Sequence, residues 1–226
     1  MFPIAKRIDK IIFLFINHDS DSILFDPIMI ALRNSYTWIP LYAFILWYSF
    51  SRIRENAIHL ILLSLVVVTL TDLTSYRLLK PFFERPRPCN DPELMGLVRV
   101  LVDCGRSYSF PSNHAANHFG LATLWFLYIK NVTARSWHWL WAWAGIICYS
   151  QIYVGKHFPS DIIGGAFLNN YRPAGVQRTS IYSLALFQAK HKGKRLVQLK
   201  LIIMTDPDKL FDSISFAHIR QEDIKK

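Results

Sequence analysis

The feature that most constrains this chain is the run from Ala57 to Leu79, apolar over more than the roughly 20 residues a membrane-crossing helix needs. A backbone inside lipid must satisfy its own N–H and C=O groups, so this run is expected to be a helix. Thr37 to Phe50, Ala115 to Ile129 and Trp137 to Val154 read as further spans. Trp38, Tyr42, Trp47 and Tyr48 suit the headgroup level, and Trp137, Trp139, Trp141 and Trp143 read as an interfacial belt. Ile11 to Ile16 and Ile23 to Leu32, broken by His18-Asp19-Ser20-Asp21 and by Pro27, are too short to span. They read as interfacial or re-entrant pieces. The fold expected is an all-α integral membrane bundle of about five to six spans.

The last of these spans reads as truncated. Asp161 to Phe167 opens an apolar helix, but Asn169-Asn170-Tyr171-Arg172-Pro173 ends it. About ten residues reach only about 15 Å, against a hydrocarbon core of about 30 Å. Residues 1–170 are therefore taken as one membrane-embedded domain. Residues 171–226 are taken as a basic cytoplasmic tail of net charge +6, in which Ile181 to Gln188 reads as helical and Leu196 to Met204 as weakly strand-like.

The formal charge of +10 does not indicate nucleic acid here. Cations beside apolar spans set membrane orientation instead. Arg52 with Arg54, and Lys130 with Arg135, mark two short cytoplasmic loops. The long loop Lys80 to Pro111 and the turn Gly155 to Ser160 then lie on the opposite face. Cys89 and Cys104 bracket a polar stretch of that long loop, and the spacing leaves two free thiols or one disulfide open. Cys148 lies in an apolar run and reads as a buried thiol.

Three segments at the non-cytoplasmic ends of these spans carry the chemistry. In the first, Lys80 and Arg87 supply an ammonium and a forked guanidinium, with Pro86 and Pro88 stiffening the backbone between helix and loop. In the second, Pro111-Ser112-Asn113-His114, Ser112 is placed as the N-cap of an apolar helix whose free N–H groups favour an anion. In the third, His157 is followed four residues later by Asp161. An imidazole can attack phosphorus, and a carboxylate on its other nitrogen would fix the tautomer. Each cation alone could equally be a snorkelling membrane-edge residue, and each histidine alone a packing residue. His114 and His118 stand four apart, but no glutamate lies between them and no metal site is expected. Asp72, inside the clearest span, is expected to hydrogen-bond between helices, given Thr71, Thr74 and Ser75 beside it.

Taken together, Lys80-x6-Arg87-Pro88, Pro111-Ser112-x-His114 and Ser150-Gln151-x5-His157-x3-Asp161 resemble the motifs of the type 2 phosphatidic acid phosphatases. That family also includes glucose-6-phosphatase and the vanadium haloperoxidases. The likeness is to its small bacterial membrane members, such as undecaprenyl-diphosphate phosphatases, over about residues 1–168. The resemblance implies metal-independent, cofactor-free hydrolysis of a lipid phosphate or diphosphate, isoprenyl or phosphatidate-type, with lipid A a close competitor. His157 would be the nucleophile, Asp161 its orienting partner and His114 the acid and base. Lys80, Arg87, Ser112 and the backbone N–H groups of Asn113 and His114 would hold the phosphate. The resemblance also implies a bacterial inner membrane protein whose site faces the periplasm.

Gln151 is a departure, because the family carries arginine there. Glutamine keeps a donor and loses the charge and the fork, and losing such a donor costs about 10²–10³ in rate. With the short last helix, this predicts weak turnover, or a lipid-phosphate-binding protein that turns nothing over. A transporter is disfavoured because the whole polar set lies at one face, and haloperoxidase chemistry because of the apolar spans.

Overall fold

The structure, a computed structural model, describes residues 3–20, 22–54 and 57–168. Every regular element among them is helical. The readings at and beyond Asn169, including the tail 171–226, lie outside the described residues.

The order is α1 (Pro3–Leu14), α2 (Phe25–Arg33), α3 (Ile39–Tyr48) and α4 (Ala57–Leu73). From α4 the chain runs through a wide π turn, Thr74–Leu79, into the short α5 (Lys80–Phe83). After a long loop come α6 (Asn113–Thr133), α7 (Trp139–Tyr153) and α8 (Pro159–Leu168). Among the described residues, one helix, beginning at Ala57, is by itself long and apolar enough to cross a membrane. Its outer face exposes Ile58, Leu62, Leu65 and Leu73, an apolar strip suited to lipid. The 21 residues of α6 reach about 31 Å, enough to span, but His114, Asn117 and His118 interrupt its apolar run.

Helix α6 is the hub, packed against α4, α7 and α8. Ala115, Ala116, Gly120 and Ala122 are buried on it, and small residues let neighbouring backbones approach closely. Asp72 makes the interhelical bonds expected of it: its Oδ1 accepts from Asn113 Nδ2 at 2.8 Å and Asn117 Nδ2 at 3.1 Å. The tryptophans of α7 depart from the expected belt. Trp143 is buried and stacks on Trp125 with ring centroids 5.6 Å apart, and Trp137 and Trp141 pack against the same core. Only Trp139 among the four is exposed. Helical spacing puts Trp143 on the inner face of α7, and a ring that large is worth more as core than as anchor.

Helix α1 also departs from a free interfacial piece. Asp9, Lys10, Phe13 and Asn17 are buried along one face. Lys10 pairs with Asp91 at 2.6 Å and Glu93 at 2.7 Å. Asn17 Nδ2 donates to the Tyr153 carbonyl at 2.7 Å. Asp26 on α2 accepts from the Tyr153 hydroxyl at 2.8 Å and from Arg99. The N-terminal helices thus strap the loop between α5 and α6 to the end of α7. Inside that loop Cys89 and Cys104 form a disulfide, which settles the alternatives their spacing left open.

Candidate active site

Four backbone breaks set the site. The α4–α5 helix ends at Glu84, whose left-handed φ of 45° turns the chain into Arg85-Pro86-Arg87-Pro88. Ser112 caps α6, its Oγ accepting from Ala115 N at 3.4 Å. Helix α7 ends at Tyr153, and the turn after it holds Gly155 at φ +86°, where a Cβ would lie 2.8 Å from the Arg99 carbonyl oxygen. This turn brings the amides of Lys156 and His157 back to donate to the Gln151 carbonyl at 3.0 and 3.3 Å. Helix α8 then starts at Pro159, and Ser112 N donates to the Asp161 carbonyl at 3.0 Å. All three sequence segments therefore meet at one end of the bundle.

His157 is buried, with Nδ1 3.6 Å from Asp161 Oδ2 and 3.4 Å from Ser109 Oγ. Asp161 is wholly buried and fully engaged. It accepts from Phe158 N at 2.8 Å, from Ser109 Oγ at 2.5 Å and from Arg85 Nη1 at 2.7 Å. These contacts occupy the Nδ1 side of the His157 ring and leave Nε2 as the nitrogen able to act. Burial, with the cations Arg87 and Lys80 adding to it against the pull of Asp161, lowers the His157 pKa to about 4. The ring is therefore neutral at ordinary pH, the state a nucleophile requires. His114, in the first turn of α6, is close enough to couple electrostatically with His157.

The cations around this histidine, Lys80 and Arg87 buried and Lys156 half-buried, lie against neutral oxygens. Lys80 Nζ donates to the Tyr108 carbonyl at 2.6 Å. Arg87 donates from Nε to the Ser107 carbonyl at 2.8 Å and from Nη2 to Ser107 Oγ at 2.6 Å. Lys156 Nζ donates to the carbonyls of Asp103 and Cys104 at 2.5 and 2.9 Å. Burial, then the neighbouring charges of Arg87 and Arg33, bring the Lys156 pKa down to about 8. Burial also lowers that of Arg87. Desolvated cations crowded together in this way favour an anion among them.

The structure brings Lys80, Arg87, Ser112, His114, Gln151, His157 and Asp161 to this end of the bundle. The Asn113 side chain turns the other way, accepting from Ser75 Oγ at 2.7 Å and donating to Asp72. Only its backbone N–H remains for an anion. Gln151 is fully buried, and neither its Oε1 nor its Nε2 has a hydrogen-bond partner among the described residues. His118 lies under His114, its Nδ1 2.7 Å from the His114 carbonyl and its ring 5.1 Å from Trp143, as a packing residue would.

Sequence reasoning missed Arg85, Asp9, Ser109, Lys156 and Arg33. Arg85 bridges Asp161 and Asp9, at 2.7 and 2.5 Å, with its guanidinium 4.2 Å from the Phe158 ring. Asp9 also accepts from Ser160 N and Oγ at 2.8 and 2.6 Å. The available signal was the helical spacing of Asp9, Phe13 and Asn17, one stripe of α1 and the turn that continues it, mixing polar and apolar residues.

The family model for the PAP2 superfamily matches residues 57–169, half of the chain. A lipid A 4'-phosphatase of Bacteroides thetaiotaomicron is 28% identical over 174 residues, 76% of each chain. An undecaprenyl-diphosphatase of Sulfolobus acidocaldarius is 29% identical over 71% of this chain and 72% of its own. The crystal structure of a transmembrane PAP2-type phosphatidylglycerolphosphate phosphatase from Bacillus subtilis superposes with a TM-score of 0.53. It covers 74% of this chain and 82% of its own at 23% identity, a likeness of fold.

Proposed function

This chain belongs to the PAP2 superfamily, and from that premise we propose that it hydrolyses the phosphate or diphosphate of a membrane lipid through a phosphohistidine on His157. The observation that carries the reading is a buried His157, backed by Asp161 and ringed by cations that have carbonyl and hydroxyl oxygens for partners.

In the first step His157 Nε2 attacks the terminal phosphorus while its bond to the leaving oxygen, that of the lipid alcohol in a monoester or of the lipid phosphate in a diphosphate, breaks. His114, holding a proton while the anionic phosphate is bound beside it, gives that proton to the leaving oxygen. In the second step His114 takes a proton from water, whose oxygen attacks phosphorus as the P–N bond breaks. Inorganic phosphate leaves and both imidazoles return to their starting states. Asp161 stabilises the positive charge that His157 develops. Lys80, Arg87, the Ser112 hydroxyl and the backbone N–H groups of Asn113 and His114 hold the phosphate oxygens, where preorganised donors lower the barrier most. Gln151 adds a neutral donor. No metal or cofactor enters these steps.

The relatives named above act on lipid A and on undecaprenyl diphosphate. The shared chemistry is a phosphate ester or anhydride carried on a lipid, and this is the substrate class proposed here. Helix α4 starts just after Arg54 and reaches the site at Lys80, while α6 starts at the site and ends past Lys130. By the preference of cations for the cytoplasmic side, the site then opens on the periplasmic face of a bacterial inner membrane. Residues 171–226 are taken as a separate basic tail on the cytoplasmic side.

The test is phosphate release from isoprenyl diphosphate, phosphatidate and lipid A in detergent with EDTA, for the full chain and for His157→Ala. Release that His157→Ala abolishes supports the reading. Release that persists in His157→Ala overturns it. A second reading, a lipid-phosphate-binding protein without turnover, is favoured by Gln151 alone. Vanadate binding without phosphate release would identify it.

A further inference from the structure

The charge absent at position 151 has a candidate replacement on another helix. Helix α2 lies along α7. Near its start Asp26 holds the Tyr153 hydroxyl, and just past its end Trp38 meets Trp143 with ring centroids 6.0 Å apart. The two helices are therefore antiparallel. Arg33 follows Asp26 by seven residues, two helical turns, so it shares the face that Asp26 turns to α7. It comes level with the stretch of α7 between Trp143 and Tyr153, which contains Gln151.

Arg33 Nε is buried and has no partner among the described residues, as is true of Gln151 Oε1 and Nε2. A buried polar group left unpaired is costly, so such groups are rare without a function or a ligand. The charge of Arg33 is also felt within the site, at His114, Arg87 and Lys156. Gln151 offers what an arginine there could not. Its oxygen can accept from the Arg33 N–H while its amide nitrogen donates to a phosphate oxygen.

We propose that Arg33 supplies from α2 the phosphate-binding guanidinium that the third motif lacks at Gln151, the two side chains acting together on one phosphate. This rests on the reading of the site as a phosphate site. It makes Gln151 one half of a relocated arginine site, in which a second guanidinium at 151 would meet the first.

The experiment measures vanadate affinity by calorimetry, and kcat and KM for lipid phosphate release, on the full chain in detergent. The variants are Arg33→Gln, Arg33→Lys, Gln151→Arg and the double change Arg33→Gln with Gln151→Arg. Arg33→Gln is expected to lower kcat/KM about 10²-fold and vanadate affinity at least about tenfold. Arg33→Lys should recover part of each loss. The double variant should return to within about tenfold of the parent, while Gln151→Arg alone gains less than about tenfold. Arg33→Gln within about threefold of the parent in both readouts would overturn the proposal. So would a gain of about 10²-fold from Gln151→Arg alone, a comparison that decides the matter even if Arg33→Gln fails to fold. If the parent shows no turnover, vanadate affinity decides by the same comparisons. Phosphate release unaffected by His157→Ala would instead refute the underlying site reading.

Discussion

Replacing Arg85 should damage stability and chemistry together, because one guanidinium serves two buried carboxylates. Its partners Asp9 and Asp161 have side chains only 5% and 0% exposed, and its own is 15% exposed. Solvent therefore screens these pairs little. In Arg85→Gln the two acids would lose their shared counter-charge while staying buried. Breaking a buried pair from one side costs about 3–5 kcal/mol. A domain holds only about 5–15 kcal/mol in all. For a domain of this size each kcal/mol moves the melting point by about 2–4 °C, so a fall on the order of 10 °C is expected. Asp161 would also lose the contact on Oδ1 that fixes its orientation toward His157. A displacement of about 1 Å there costs about 10²-fold in rate. The assay is thermal unfolding in detergent beside phosphate release, with Asp9→Asn added in the Arg85→Gln background. Removing the second stranded acid should restore part of the lost stability but not the rate. Arg85→Gln that melts within about 2 °C of the parent and keeps a third of its activity would refute the bridge.

Three further outcomes are expected. Gln151→Met, similar in shape and without polar atoms, should stabilise the unliganded protein by about 2 kcal/mol, since it removes two unpaired buried groups. It should also weaken vanadate binding, and opposite signs in unfolding scans with and without vanadate would check both. The profile of kcat/KM against pH should fall at both ends. With a His157 pKa of about 4, activity is lost as pH drops through 4 and the nucleophile protonates. With a Lys156 pKa of about 8, phosphate affinity is lost as pH rises through 8 and the ammonium discharges, and Lys156→Arg should move that limb upward. Gly165→Ala should cost about 10²-fold in activity, because its Cβ would collide with the Ser112 carbonyl oxygen and lie 2.9 Å from Ala115 Cβ, forcing α8 away from the start of α6.

What the sequence made legible is the chemistry fixed by short spacing. Ser112 as a cap, and His157 with Asp161 four residues on, are local patterns, and the structure keeps them local. The supporting residues were not legible, for a physical reason. Arg85 reads as one more cation beside a proline until Asp9, 76 residues earlier, is placed against it. Asp9 and Lys10 lie just ahead of the apolar piece Ile11 to Ile16 and carry no motif, yet they are buried with ion-pair partners in the loop after α5. Trp143 reads as an anchor because composition does not say which face of α7 it occupies. Arg33 carries no motif at all, and only the antiparallel course of α2 along α7 brings it beside the stretch of α7 between Trp143 and Tyr153.

How far α8 extends bears little on the acid it carries. A helix placed by its whole length would lose its register if shortened, and Asp161 would drift from His157. Here the first turn is pinned separately. Ser112 N holds the Asp161 carbonyl, Phe158 N and Ser109 hold its carboxylate, and Asp9 holds the amide and hydroxyl of Ser160. At Gly165 the backbone of α8 lies so close to that of Ser112 that no side chain fits between them. Each of these supports comes from a residue before Leu168. The position of the carboxylate therefore depends on residues 9, 85, 109, 112 and 165, and a change at any of them should reach His157 sooner than a change in how far the helix continues.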